Sequence, residues 1–236
     1  MLFDLVFAIA LAAAGAVITA TLSVALANTG RGRLAAAMGI FAWFGVVVAV
    51  GATGMLGPGG IGVPGLGLAV MAPALLLSWL LLRAGRGGAM AALPTPLLIA
   101  AHAVRVLGLS FVLLYAAGRL PAPFAPTAGW GDIAIGLTAL PMAWLVSRPG
   151  GRALALLWNA LGCLDLVTAV FLGATSSPGP ARLFLEPPGS VIMTTLPWIL
   201  IPAFLVPGLF ALHVAIFGRL WRGQAETGSI ALPARA

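Results

Sequence analysis

Long apolar runs recur seven times along this chain, near residues 3 to 27, 34 to 56, 65 to 82, 96 to 118, 128 to 147, 153 to 174 and 195 to 217. Each approaches the ~20 residues that an α-helix needs to cross the ~30 Å hydrocarbon core of a bilayer. A segment in that core must satisfy every backbone N–H and C=O from within the protein, so runs of this length predict helices packed side by side. Only 7% of the 236 residues are charged and 61% are hydrophobic, too few charges to cover a soluble domain, where about 25% is usual. The expected class is therefore all-α: a polytopic membrane bundle of seven transmembrane helices over residues 1–218, followed by a short disordered tail over 219–236. Its principal partner is the lipid bilayer.

All twelve basic residues are arginine, and the net charge is +7. Such a balance could point to nucleic acid, but the arginines sit mostly between apolar runs. The connections carry Arg31 and Arg33, then none, then Arg83 and Arg86, then Arg119, then Arg148 and Arg152, then Arg182 with Glu186, and Arg219, Arg222 and Arg235 follow the last run. Arginine pairs thus alternate with nearly neutral loops. The positive-inside rule then places the N-terminus outside and the C-terminus in the cytoplasm, and leaves no role for nucleic acid. Trp79, Trp144 and Trp221 fall near predicted cytoplasmic ends, with Trp130 and Trp198 near outer ends, as interfacial anchors do.

Several familiar activities are excluded by what the sequence lacks or misplaces. GPGGIGVPGLG at 57 to 67 contains G-x-G-x-x-G, but it follows an apolar run and no acidic residue appears until Asp132, so the dinucleotide fingerprint is incomplete. There is no H-E-x-x-H, G-x-S-x-G or phosphate-binding loop, and the expectation is a non-enzymatic protein. The absence of lysine rules out a retinal Schiff base. Asp4 and the lack of an early basic residue make the first run a retained span rather than a secretory signal. The lone Cys163 cannot form an internal disulfide. Pro197, Pro202 and Pro207 predict a bent last helix, since each removes a backbone donor.

Function, if it lies inside the membrane, lies in the second half of the chain, where His102, Arg105, Asp132, Asp165 and His213 interrupt the apolar runs. Counted from the predicted cytoplasmic ends, Arg105 sits about 14 Å deep and Asp165 about 19 Å deep at ~1.5 Å per residue. A charge at such depth costs about 2.5 to 3.5 kcal/mol on insertion scales, so these groups should pair. His102, Arg105 and Gly108 are spaced i, i+3, i+6 and predict one inward-facing stripe. Two uses of the pair are open. In one, Arg105 and Asp165 bridge helices and only hold the bundle together. In the other they line a polar pocket for a small polar or anionic solute, Arg105 holding its anionic group, Asp165 supplying counter-charge and a proton site, and Asn159 orienting it. Asp132 is either a pocket carboxylate or a helix N-cap. His102 and His213, the only histidines, fall at equal predicted depth, which opens a third reading: a membrane cytochrome with b-type haem held between them.

RVLG at 105 to 108, GRLPAPFAPTAGWGD at 118 to 132 and WNALGCLDL at 158 to 166 resemble a pattern of uncharacterised bacterial multi-pass membrane proteins. The resemblance covers roughly the second half of the chain and implies a bacterial inner-membrane setting. It marks Arg105, Asp132, Asn159 and Asp165 without assigning them roles.

Overall fold

The computed structural model describes residues 2–86 and 93–222. Among them there is no strand, and seven long helices carry the fold: α1 (Leu2–Leu26), α2 (Gly30–Thr53), α3 (Gly62–Arg86), α4 (Thr95–Ala116), α5 (Phe124–Leu145), α6 (Gly151–Thr175) and α7 (Ile201–Trp221). Six of them, all but α5, are long and apolar enough to cross a membrane. The 22-residue α5 matches them in length but falls short in apolarity, because Thr127, Gly129, Gly131 and Asp132 occupy its first half. The seven predicted runs therefore correspond to six helices of full spanning character plus one more polar helix packed among them. At the C-terminal end, α7 continues to Trp221, past the predicted boundary at 218. The disorder predicted for the tail falls on residues outside the described ones from 223 onward.

Local chemistry explains the helix ends. Thr29 caps α2, its hydroxyl oxygen accepting the Gly32 N–H at 3.1 Å, which satisfies one of the free donors of the first turn. At the end of α4 the Gly118 N–H donates to the Tyr115 carbonyl and the Arg119 N–H to the Leu114 carbonyl. This paired closure needs a left-handed residue at its turn, and Gly118 supplies it at φ 66°. Arginine side chains finish other ends. The Arg152 guanidinium, at the start of α6, donates to the Leu220 carbonyl at 2.7 Å, and Arg33 donates to Ala27 at 3.0 Å.

The helices run alternately up and down. Asp4 at the start of α1 meets Arg119 just after α4 and Trp198 just before α7, at 2.8 Å and 3.1 Å. At the opposite end Arg219 of α7 reaches Thr95 at the start of α4. In the packing order α4 lies against α5, α5 against α6 and α6 against α7, while α7 also packs on α3 and α1 holds α2. α7 is the axis of the bundle: 67% of its most apolar stretch is buried, against 17% for α2 at the periphery. On α6 the outward stripe Leu154, Leu157, Leu161, Leu164 and Phe171 is exposed while Asn159, Gly162 and Leu166 are buried. The outward face of α6 is thus apolar while Asn159 is turned inward, which suits a lipid surround.

Trp79, Trp130, Trp144 and Trp221 are exposed near helix ends, as membrane-interface anchors should be. Trp198 is not. It is fully buried against Phe3 and Phe7, and its indole N–H is spent on Asp4.

Candidate functional site

The middle of α4 is not α-helical. Ala101–Gly108 form a 3₁₀ segment of eight residues, and in that geometry side chains three apart lie directly above one another. His102, Arg105 and Gly108 consequently form one straight buried stripe turned toward α5, α6 and α7. The first turn of α7, Ile201–Leu205, is π-helical and contains Pro202. Irregular turns of both kinds recur at functional sites.

Arg105 is the hub. Its Nε donates to Asp132 Oδ1 of α5 at 2.7 Å, its Nη2 to Asp165 Oδ2 of α6, and its Nη1 to the Gly162 carbonyl at 3.0 Å and to His213 Nε2 of α7 at 3.2 Å. One guanidinium therefore ties together four helices and spends four of its five N–H donors. Arginine can only donate, so His213 Nε2 must be unprotonated and the imidazole hydrogen sits on Nδ1, which donates to Asn159 Oδ1 at 2.7 Å. The Asn159 amide donates in turn to the His213 backbone carbonyl at 3.0 Å. Asn159 thus clamps one residue of α7 at both ring and backbone, fixing the tautomer that Arg105 requires.

His102 stacks on His213 with ring centroids 4.0 Å apart and meets the edge of Trp158 at 5.7 Å. Trp158 is held by its N–H to Thr138 at 2.9 Å. Both ring nitrogens of His102 are buried without a hydrogen-bond partner. The haem reading does not fit this geometry. Rings whose centroids stand 4.0 Å apart leave no space for a porphyrin between them, and both nitrogens of His213 are already engaged. Among the described residues, no three His, Cys, Asp or Glu side chains cluster as metal ligands.

Glycines make the hub possible. A Cβ on Gly131 would overlap Asp165 Oδ1, and one on Gly108 would overlap Asp132 Cβ; one on Gly162 would stand 2.6 Å from the His213 ring, and one on Gly136 would strike the α4 backbone at Val106. Apart from that of Gly108, their role is not an expectation of the sequence, although GWGD places Gly131 beside Asp132 and WNALGCLD places Gly162 three residues from both Asn159 and Asp165.

The structure brings Arg105, Asp132, Asp165, Asn159, His102 and His213 into one connected group. Asp132 lies eight residues inside α5, which starts at Phe124, so it is no N-cap. Arg105 has four of its five donors committed within the chain, two of them to carboxylates, which leaves little with which to grip an anionic solute. The accessible chemistry is carboxylate instead, since the side chains of Asp132 and Asp165 keep 13% and 15% of their surface while that of Arg105 keeps none.

Residues 62–221, which include the whole group, match the family model described as Domain of unknown function (DUF8737). Neither a curated protein nor a solved structure matches the chain.

Proposed function

This chain belongs to the DUF8737 family, and from a cluster lying wholly inside the matched region we propose that it is a non-enzymatic, multi-pass membrane protein whose working centre is a proton-binding carboxylate pair. The carrying observation is a charge count: one guanidinium faces two carboxylates. With both aspartates ionised the group sums to −1, and a net charge deep in a bilayer costs about 2.5 to 3.5 kcal/mol. One proton shared by Asp132 and Asp165 removes that cost. A second ligand of suitable charge removes it equally well, which is how such a centre couples a proton to small-solute transport or ligand sensing. His213 and His102, in ring contact beside the hub, extend it along α4 and α7 as polarisable neighbours.

In this reading the seven helices cross the membrane with the N-terminus outside, in a bacterial inner membrane. The crowding of arginines at one end of the bundle supports the orientation. Infrared difference spectroscopy of the purified protein tests the proton site. The wild type should show a protonated carboxylic acid band that disappears as pH rises, absent from the Asp132→Asn/Asp165→Asn double variant. The near-complete coordination of Arg105 favours a second reading, in which the cluster is a permanent bridge with no exchangeable proton. That reading predicts spectra with no pH-dependent difference between the wild type and the double variant, and such a result would remove the first.

A further inference from the structure

At the end of the bundle where α3, α5 and α7 begin, a half-open chamber of about 580 Å³, its open mouth included, lies between α3 and α6. Its lining is apolar apart from Ser190, whose hydroxyl is already spent on the Gly173 carbonyl and on Ser177. A second, smaller chamber is lined by Arg105 and Asp132. The two share Phe111, Ile201 and Val206 as walls, so these side chains stand between the apolar space and the chamber that the charged hub lines. Ile201 opens the π-helical turn of α7 and Val206 immediately follows it, so that turn lines both chambers.

We propose that this paired cavity binds a lipophilic organic cation, its apolar body in the large chamber and its positive charge toward Asp132, in exchange for the proton of the carboxylate pair. The proposal rests on the proton-binding reading above and names the ligand class of the same site. Two features select that class. The apolar lining of the large chamber offers no partner to a polar body, which would lose its hydrogen bonds with water there. The hub carries one carboxylate more than its arginine neutralises, so the complement is a positive charge and not an anion. The exchange balances: the neutral hub (Arg105 positive, one aspartate ionised, one protonated) takes up a monovalent cation and releases one proton, and the total charge in the membrane is zero before and after for hub plus ligand less the proton.

The titratable and charged groups around the pair are Arg105 and His102 on α4, Cys163 on α6 and His213 on α7. On α1 the only acidic group, Asp4, is paired with Arg119 at the end of the bundle where the large chamber lies, and on α3 the arginines stand at the opposite end of the helix. None of them supplies a second compensating cation.

Tetraphenylphosphonium binding to the purified full chain, measured by equilibrium dialysis across pH, tests the exchange. Affinity should rise about tenfold per pH unit while the pair is protonated, as release of one proton demands, and Asp132→Asn should abolish that slope. Uncharged triphenylphosphine oxide should bind more weakly and without the slope. Val170→Trp, which fills the large chamber away from the hub, should block the cation, and the infrared carboxyl band reports in the same sample whether the hub still forms. Equal binding by wild type and Asp132→Asn, or unimpaired binding by Val170→Trp, would overturn the proposal. A pH-dependent carboxyl band without any tetraphenylphosphonium binding also overturns it, while leaving the proton-binding reading in place; loss of the band itself overturns that reading first.

Discussion

At the scale of single residues, the energetic weight of the centre falls on Arg105. Removing one partner of a buried ion pair leaves the other charge uncompensated, at about 3 to 5 kcal/mol, whereas removing all of the charges together is often close to neutral. Arg105→Met is therefore expected to destabilise the protein by about 3 to 5 kcal/mol. Adding Asp132→Asn and Asp165→Asn to it should recover most of that loss. Thermal unfolding of the three proteins in one detergent checks both halves, and a triple variant no more stable than Arg105→Met would show that the hub is valued for geometry and not for charge. Arg105→Lys should resemble Arg105→Met more than wild type, because a single ammonium cannot reproduce a fork that reaches Asp132, Asp165, Gly162 and His213 at once. Beside it, a methyl at Gly162 meets the His213 ring at 2.6 Å. Gly162→Ala should cost about 1 to 3 kcal/mol by overpacking, with His213 displaced from Asn159; the imidazole Nδ1 proton, observable by NMR when it is hydrogen-bonded, reports that displacement directly.

At the scale of elements, α4 and α5 must come close enough for Arg105 to reach Asp132, and the glycines set that distance. Gly136 lies against the α4 backbone at Val106, while Gly39 and Gly45 on peripheral α2 have open space around them. Gly136→Leu should separate the pair and lower the midpoint of thermal unfolding markedly, whereas Gly39→Ala or Gly45→Ala should be neutral or slightly stabilising, since alanine favours helix over glycine by ~1 kcal/mol. Similar losses from all three would mean that α4 and α5 do not depend on close approach. The sequence made the helices legible because lipid imposes length and apolarity on each one, and it made the polar list legible because a charge in an apolar run is conspicuous. It left three things unread. Which helices touch depends on shape complementarity, which no periodicity carries. The 3₁₀ turn at Ala101–Gly108 and the π turn at Ile201–Leu205 answer to tertiary packing, so the stripe of His102, Arg105 and Gly108 could be anticipated while its straightness could not. Equal depth of His102 and His213 was a sound inference that still could not distinguish stacked rings from rings held apart by a haem.

At the scale of the whole molecule, charge is distributed in a way that orients it. Alternation of the helices puts the residues flanking the end of α1, the start of α2, the end of α3, the ends of α5 and α7 and the start of α6 at one end of the bundle. That end holds Arg31, Arg33, Arg83, Arg86, Arg148, Arg152, Arg219 and Arg222, while Arg119 and Arg182 lie toward the other. Arg83 and Arg148 lie over the rings of Trp79 and Trp144 at 4.4 Å each, an arrangement suited to the headgroup layer, where the ring faces hydrocarbon and the guanidinium faces phosphate. Translocating such an end would carry several arginines through the hydrocarbon core at about 2.5 to 3.5 kcal/mol apiece on insertion scales, so the arginine-rich end is expected in the cytoplasm. A membrane-impermeant maleimide decides it on intact cells producing single-cysteine variants in a Cys163→Ala background. Gly59→Cys and Glu186→Cys should label directly, and Pro149→Cys only after permeabilisation. The reverse pattern would invert the protein. Direct labelling of Gly59→Cys and Pro149→Cys but not of Glu186→Cys would show instead that α5, the one long described helix short of full apolarity, does not cross, and would take Asp132 out of the bilayer and with it the charge argument for the shared proton.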